Sequence, residues 1–293
     1  MKRVIFTLVV FMFVLAFGCR ATSEKVPTVH LAQLGNEQIQ VLDNIEKLDV
    51  SQYQRGTIYL MKKPSYEDNI KAVSEILSVD ISNEKETTMI DSKLGFWVYS
   101  LDDMASPADM PNLNDMQNLP PDEEAIEIAT RFIKGNNLYN GDLGEPRISL
   151  TTSGDSITNN LMILKKNIYF YPKIDGKDVY GIFRISIGVG ANGKIVNVIK
   201  QVHEIEEFAT VSLKTNADVA KDLSDGNYIA LNDSFLMDTS IDQCRLIFYS
   251  DAQLHGDNLY VFPVYEIIAS GFTEDEKVEQ FSILVDAVSK NRE

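Results

Sequence analysis

The sequence predicts an α+β protein: antiparallel sheets, each packed by one or two helices, arranged as two modules in tandem. Three observations carry this. Two turn dipeptides, Asp175-Gly176 and Asn192-Gly193, punctuate β-branched runs, the strongest short-range hairpin signal a sequence offers. A well-capped amphipathic helix pattern over 122–134 needs a sheet to pack on. A Pro-, Asn- and Asp-rich stretch over 102–121 separates an N-terminal α/β segment (36–101) from a strand-rich C-terminal domain (122–290).

The chain opens with Lys2 and Arg3, an uncharged apolar run Val4–Phe17, and Ala16-Phe17-Gly18-Cys19. A positive start, a short apolar segment and small residues before a cysteine mark a secretory signal, 1–18, of lipoprotein type. Ala16 and Phe17 occupy places where such signals favour Leu and a small residue, so ordinary cleaved secretion stays open. An uncleaved anchor helix is the third possibility. The run is shorter than the roughly twenty residues that span a bilayer, and charged residues follow at once. On the lipoprotein reading, a diacylglycerol (palmitate-type acyl chains) on Cys19 tethers the mature protein to the extracytoplasmic face of the cell membrane. Two acyl chains hold stably where one is marginal. Residues 19–35 then form a tether.

Gln38–Leu48 has apolar residues three apart and is expected to be a helix. Thr57–Met61 and Gly95–Tyr99 read as strands. Ser65, with Asp68 three residues on, is the expected N-cap of a helix over 66–78. Over 102–121, a linker or long loop, periodicity disappears. Its Met104, Met110 and Met116 are too widely spaced for a compact copper site. Pro121-Asp-Glu-Glu opens the 122–134 helix, with acids in the first turn, Arg131 and Lys134 in the last, and Gly135 as the expected terminator. Arg147–Thr152, Leu161–Tyr171, Val179–Val189 and Ile195–Val202 are expected strands, the last three forming a three-stranded meander. Thr215 caps a short helix. Cys244–Tyr249, Leu259–Ile268 and Phe281–Ala287 complete the strands, and Pro263 is expected at a sheet edge or bulge.

The 293-residue chain carries a formal net charge of −16, near −18 once Lys2 and Arg3 are removed. That excludes nucleic-acid binding through a basic footprint. Cys19 and Cys244 are its two cysteines. With Cys19 lipidated, Cys244 has no disulfide partner and reads as a buried, inert thiol in phase with Leu246 and Phe248. His30, His203 and His255 show no metal-site spacing, and there is no His-Glu-x-x-His, nucleophile elbow, phosphate loop, dinucleotide fingerprint or EF-hand run. No catalytic set, metal or cofactor is expected, and the chain reads as a non-enzyme.

Phe170-Tyr-Pro-Lys-Ile-Asp-Gly-Lys-Asp-Val-Tyr-Gly and Ile185-Ser-Ile-Gly-Val-Gly-Ala-Asn-Gly-Lys-Ile resemble the thermolysin-propeptide and PepSY-like modules of exported bacterial proteins. Tyr260-Val-Phe-Pro-Val-Tyr-Glu-Ile267 and Phe281-Ser-Ile-Leu-Val-Asp-Ala287 resemble the strands that end such modules. The resemblance covers roughly 120–290 and is similar in layout to membrane-tethered regulators of cell-wall sensor kinases. It implies two PepSY-like modules in tandem and a binding or inhibitory role in the bacterial cell envelope. No peptidase domain accompanies the modules, so an intramolecular chaperone would have no client.

Two functions are therefore weighed. In the first, a lipid-anchored regulatory protein recognises a membrane-protein ectodomain or secreted peptidase through a sheet face or edge. Tyr169, Phe170, Tyr171, Tyr180 and Tyr260 form its candidate surface. In the second, a small molecule or envelope component binds between the modules. A flat exposed apolar sheet face would mark the first, a deep pocket near Trp97 the second.

Overall fold

The structure, a computed structural model, describes residues 27–29, 44–77, 86–91, 96–101, 118–155, 160–231, 237–273 and 277–289. The signal and Cys19 lie outside the described residues, as do most of the tether and positions 102–117. No described helix is long and apolar enough to cross a membrane.

The chain is of the α+β class, and its described residues form fourteen strands in two sheets and three α-helices. In order these are β1 (Arg55–Lys62), α1 (Tyr66–Leu77), β2 (Glu86–Asp91), β3 (Phe96–Leu101), α2 (Asp122–Gly135), β4 (Arg147–Asp155), β5 (Asn160–Phe170), β6 (Lys173–Ile174), β7 (Lys177–Gly181), β8 (Ile185–Val189), β9 (Ile195–Lys200), β10 (Glu204–Ser212), α3 (Asn216–Ser224), β11 (Ile229–Leu231), β12 (Met237–Ser250), β13 (Leu259–Phe272) and β14 (Val278–Asp286). The six-stranded sheet runs β2-β3-β9-β8-β5-β4, antiparallel throughout. The eight-stranded sheet runs β10-β1-β13-β12-β7-β6, with β14 also on β13 and β11 on β14.

The helices form where capping and periodicity place them. Before α1, the Asp68 amide donates to Ser65 Oγ at 3.0 Å. At α3, Thr215 and Asp218 close a capping box. Helix α2 buries Ala125, Ala129 and Ile133 against the six-stranded sheet, in one core with Ile168, Ile185, Ile187 and Val198. That core continues through Tyr59, Phe248 and Val261 of the other sheet. Helix α3 packs Val219 into a second core with Ile241, Tyr265, Ile267 and Ile283. Gly135 is the last residue of α2 rather than its left-handed terminator. Asn137 takes that conformation (φ 50°), and Leu138 N–H donates back to the Ile133 carbonyl at 3.1 Å.

Several sequence expectations are corrected. The described end of the 38–48 segment is a 3₁₀ turn, Ile45–Lys47, after a left-handed Asn44, not an α-helix. The run 179–189 is two strands in two sheets. β5, β8 and β9 do form an antiparallel meander, but the Asp175-Gly176 turn joins β6 to β7, and β7 pairs in parallel with β12. The cause is Gly181: at φ 92° its backbone lies against Ser250, and Ile182 N–H donates to the Ser250 carbonyl at 2.9 Å. Pro263 sits in a central strand, not at an edge. β13 pairs with β1 over 259–261 and with β14 over 264–272, and Pro263 falls between. Its carbonyl accepts from Ala287 on that side, so its missing N–H faces the gap between the two partners.

The 36–101 segment shares both sheets with 122–290: β1 lies between β10 and β13, and β3 pairs with β9. Strands β2 and β10 were not expected. β10 carries Glu204, Glu206 and Glu207 at an edge, where charge deters further pairing.

Lys214 ties α3 to β14. Only 7% exposed, it bridges Asp222 at 2.9 Å and Asp286 at 3.2 Å. Burial raises the Asp286 carboxyl above its usual range, and Lys214 is the main opposing influence.

Two predictions follow from this packing. A Cβ at 181 would lie 1.9 Å from the Ser250 carbonyl oxygen, whereas one at Gly176 (φ 72°) meets nothing within 4 Å. Gly181→Ala should cost about 3 kcal/mol or more and Gly176→Ala about 1 kcal/mol, read from urea-unfolding midpoints. Lys214→Met strands a buried carboxylate and should cost about 3 kcal/mol at neutral pH. A carboxyl whose folded pKa lies above its unfolded value favours the native state below the unfolded pKa and loses that contribution as pH rises. The deficit relative to wild type in thermal melts should therefore shrink from pH 7 toward about pH 5.

Candidate functional site

The β6–β7 hairpin crosses between the sheets over a buried polar network. Glu266 of β13, 1% exposed, accepts from Arg245 Nε, from Ser282 Oγ at 2.7 Å and from the Tyr180 hydroxyl at 3.3 Å. Arg245 also pairs with Asp178 at 3.1 Å and reaches the Tyr180 hydroxyl at 3.4 Å. Desolvation first, then the Glu266 charge, raises the Tyr180 pKa.

Above this network lies a Tyr–Arg ledge. The Arg147 guanidinium stacks over Tyr180 at 4.3 Å and Tyr171 at 5.6 Å, and the two rings meet edge to face at 5.9 Å. Arg184 stacks over Tyr169 at 5.1 Å and donates weakly to the Tyr171 hydroxyl at 3.5 Å, while its Nε is buried without an acceptor. Neither arginine has a carboxylate partner among the described residues. Register explains the grouping: Arg147 is opposite Tyr169, and Tyr169 opposite Ser186, two residues beyond Arg184. All lie on the face of the six-stranded sheet away from α2. Lys165, bonded to Asn197 Oδ1 at 2.8 Å, and Asn167, bonded to Thr151 Oγ1 at 2.7 Å, continue that face. Around the arginines it is polar, while toward β9 and β3 the same face carries Ile199, Val98 and Phe96, and on β4, β5, β8 and β9 its described residues include no carboxylate.

Of the five candidate aromatics, the structure joins three: Tyr169, Tyr171 and Tyr180, the last buried beneath Arg147. Phe170 points the other way, into the α2 core, as alternation along β5 requires. Tyr260 is buried in a separate cluster with Phe208 and Phe262. These two are corrections to the candidate surface. The arginines were missed because they lie far apart in sequence and meet only through sheet register.

A second feature is an open cleft of about 680 Å³ between the end of β1, the turn after α2 and the β9–β10 connection. Lys62, Lys63, Lys200, His203 and Glu204 line it with Leu138, Tyr139, Val202 and Ile205. Lys62 pairs with Glu206 at 2.8 Å. Lys200 is opposite Trp97 on β3 and Ile185 on β8, so it stands on the core-facing side of β9. Burial alone pulls its pKa below the usual lysine value. Alternation with Val198 and Val202 was its sequence signal. Cys244 is half-buried, and desolvation raises its thiol pKa, which keeps it unreactive. His255 contacts Tyr260 and Phe262.

No protein-family pattern matches the chain, and no curated protein matches it. Among solved structures it is similar to an uncharacterized protein from Eubacterium rectale ATCC 33656, determined at 1.45 Å. The TM-score is 0.40 at 10% identity, covering 81% of this chain and 85% of that one.

Proposed function

We propose that the chain is an exported, lipid-anchored, non-enzymatic regulatory protein that recognises another protein at the extracytoplasmic face of the membrane, with Cys19 as the lipidated residue. The carrying observation is the ledge on the open face of the six-stranded sheet. Arg147 and Arg184 stand on Tyr169, Tyr171 and Tyr180 without carboxylate partners among the described residues, in a chain of net charge −16. Tyr and Arg are the residues that dominate interface hot spots. Preorganised guanidiniums with free donors favour carboxylates, so the partner, a membrane-protein ectodomain or secreted peptidase, presents an acidic segment. Helix α2 is followed by seven strands, of which β4, β5, β8 and β9 share the six-stranded sheet, and α3 by four (β11 to β14); this recurrence of a helix before antiparallel strands supports a reading as two PepSY-like modules in tandem. The second reading, a lipoprotein that binds a small molecule or envelope component, is favoured by the cleft beside the Trp97–Lys200 pair.

The test is capture of partners from detergent-solubilised membranes by the full chain, by Arg147→Glu/Arg184→Glu and by Cys19→Ala, each checked by circular dichroism. The wild type and Cys19→Ala should retain one common partner, and the charge-reversed protein should lose it. Cys19→Ala should also leave the membrane fraction. Equal capture by the charge-reversed, folded protein would show that this face is not the contact surface.

A further inference from the structure

We propose that the cleft between β1, the α2–β4 turn and the β9–β10 connection binds a small amphiphilic anion, with its charged head on Lys200 and its apolar body over Leu138 and Val202. This site stands apart from the sheet face above, which lies on the other side of the same sheet.

Lys200 carries the argument. Cross-strand pairing puts it on the same face as Trp97 and Ile185, both in the α2 core and 1% and 0% exposed. A lysine in that phase runs its methylene stem along apolar surface, and Lys200 is one of the residues that line the cleft. There the ammonium meets no carboxylate or hydrogen-bond acceptor among the described residues, and burial is the one influence on its titration. An ammonium withdrawn from water without a counter-ion is costly. The protein holds 43 acidic residues, and two of them bridge Lys214, the buried lysine among the described residues, whereas none of those described bridges the half-buried Lys200. An anionic ligand supplies what Lys200 lacks. At the rim Lys62 is already paired with Glu206, Lys63 adds a further cation, and Glu204 is the one acid among the described lining residues. The largely buried Leu138 and Val202 line its apolar side. The volume suits a small organic molecule rather than a protein segment.

Trp97, the chain's single tryptophan, is opposite Lys200 and serves as a reporter. The folded protein is titrated with anilinonaphthalene sulfonate, reading energy transfer from Trp97. Saturable, salt-weakened binding at one site is expected. Lys200→Met, which keeps the stem and removes the charge, should weaken it by about tenfold or more, and Lys200→Arg should retain it. Thermal melts verify that Lys200→Met is folded; should it not be, Lys200→Gln takes its place. Displacement by dihexanoyl phosphatidylglycerol but not by inorganic phosphate assigns a lipid-like ligand; displacement by both assigns a free anion. No saturable transfer, equal affinity in the charge-removed variant, or displacement by neither competitor would overturn the proposal. None of these outcomes bears on partner capture by Arg147 and Arg184.

Discussion

The passage of one hairpin from sheet to sheet holds this molecule together. Chain leaving β5 of the six-stranded sheet enters the eight-stranded sheet as β6 and β7, then returns at β8. The return is possible only because residue 181 has no side chain: its backbone lies against Ser250, and the left-handed conformation it adopts is one that glycine takes freely. Arg245 and Glu266 secure the crossing from below by holding Asp178 and the Tyr180 hydroxyl. With the hairpin so placed, Tyr180 lies under Arg147, and the ledge exists. The chain also passes between the sheets from β1 to β2 and from β9 to β10, and the core that includes Tyr59, Phe248 and Val261 packs the two together.

The buried charges divide into two groups with different meanings. Glu266 and Lys214 are each surrounded by opposite charge and hydrogen bonds. Breaking either set leaves a stranded charge, so these groups specify the arrangement more than they add net stability. Arg184 and Lys200 differ. Each is partly withdrawn from water, one on a tyrosine and one beside a tryptophan, and neither has a carboxylate partner among the described residues. A chain with a large excess of acids has ample means of neutralising two cations internally. Their isolation argues for external ligands at both.

Much of the local structure was legible in the sequence. The Ser65 and Thr215 caps, the apolar face of α2 and both glycine turns depend on residues within a few positions of one another. What stayed hidden is non-local. Asp175-Gly176 announces a hairpin but not which sheet it joins, because that depends on Ser250 approaching Gly181. Pro263 signals an interrupted ladder, yet the interruption is a change of partner from β1 to β14, invisible without knowing that β1 enters the sheet. The candidate surface was half legible for the same reason. Alternation separates Phe170 from Tyr169 and Tyr171, but Arg147 and Arg184 reach them only through the registers of β4 and β8.

The net charge appears at first to oppose an acidic partner, and screening resolves this. At physiological ionic strength, fields between exposed charges fade over about 8 Å. A partner arriving at the Arg147 side of the six-stranded sheet therefore responds to the local charges there, where Arg147, Arg184 and Lys165 stand and β4, β5, β8 and β9 carry no described carboxylate on that face. The more distant acids, including the Glu204–Glu207 edge of β10 in the other sheet, act mainly on approach. They disfavour encounter in wrong orientations and so sharpen the preference for this face. The same reasoning sets the sense of the salt effect. Raising ionic strength weakens the local Arg–carboxylate attraction and the long-range repulsion together. Close contacts that exclude water are screened least, so salt should slow productive encounter less than a bare Arg–carboxylate attraction would suggest, because the opposing repulsion is relieved as well.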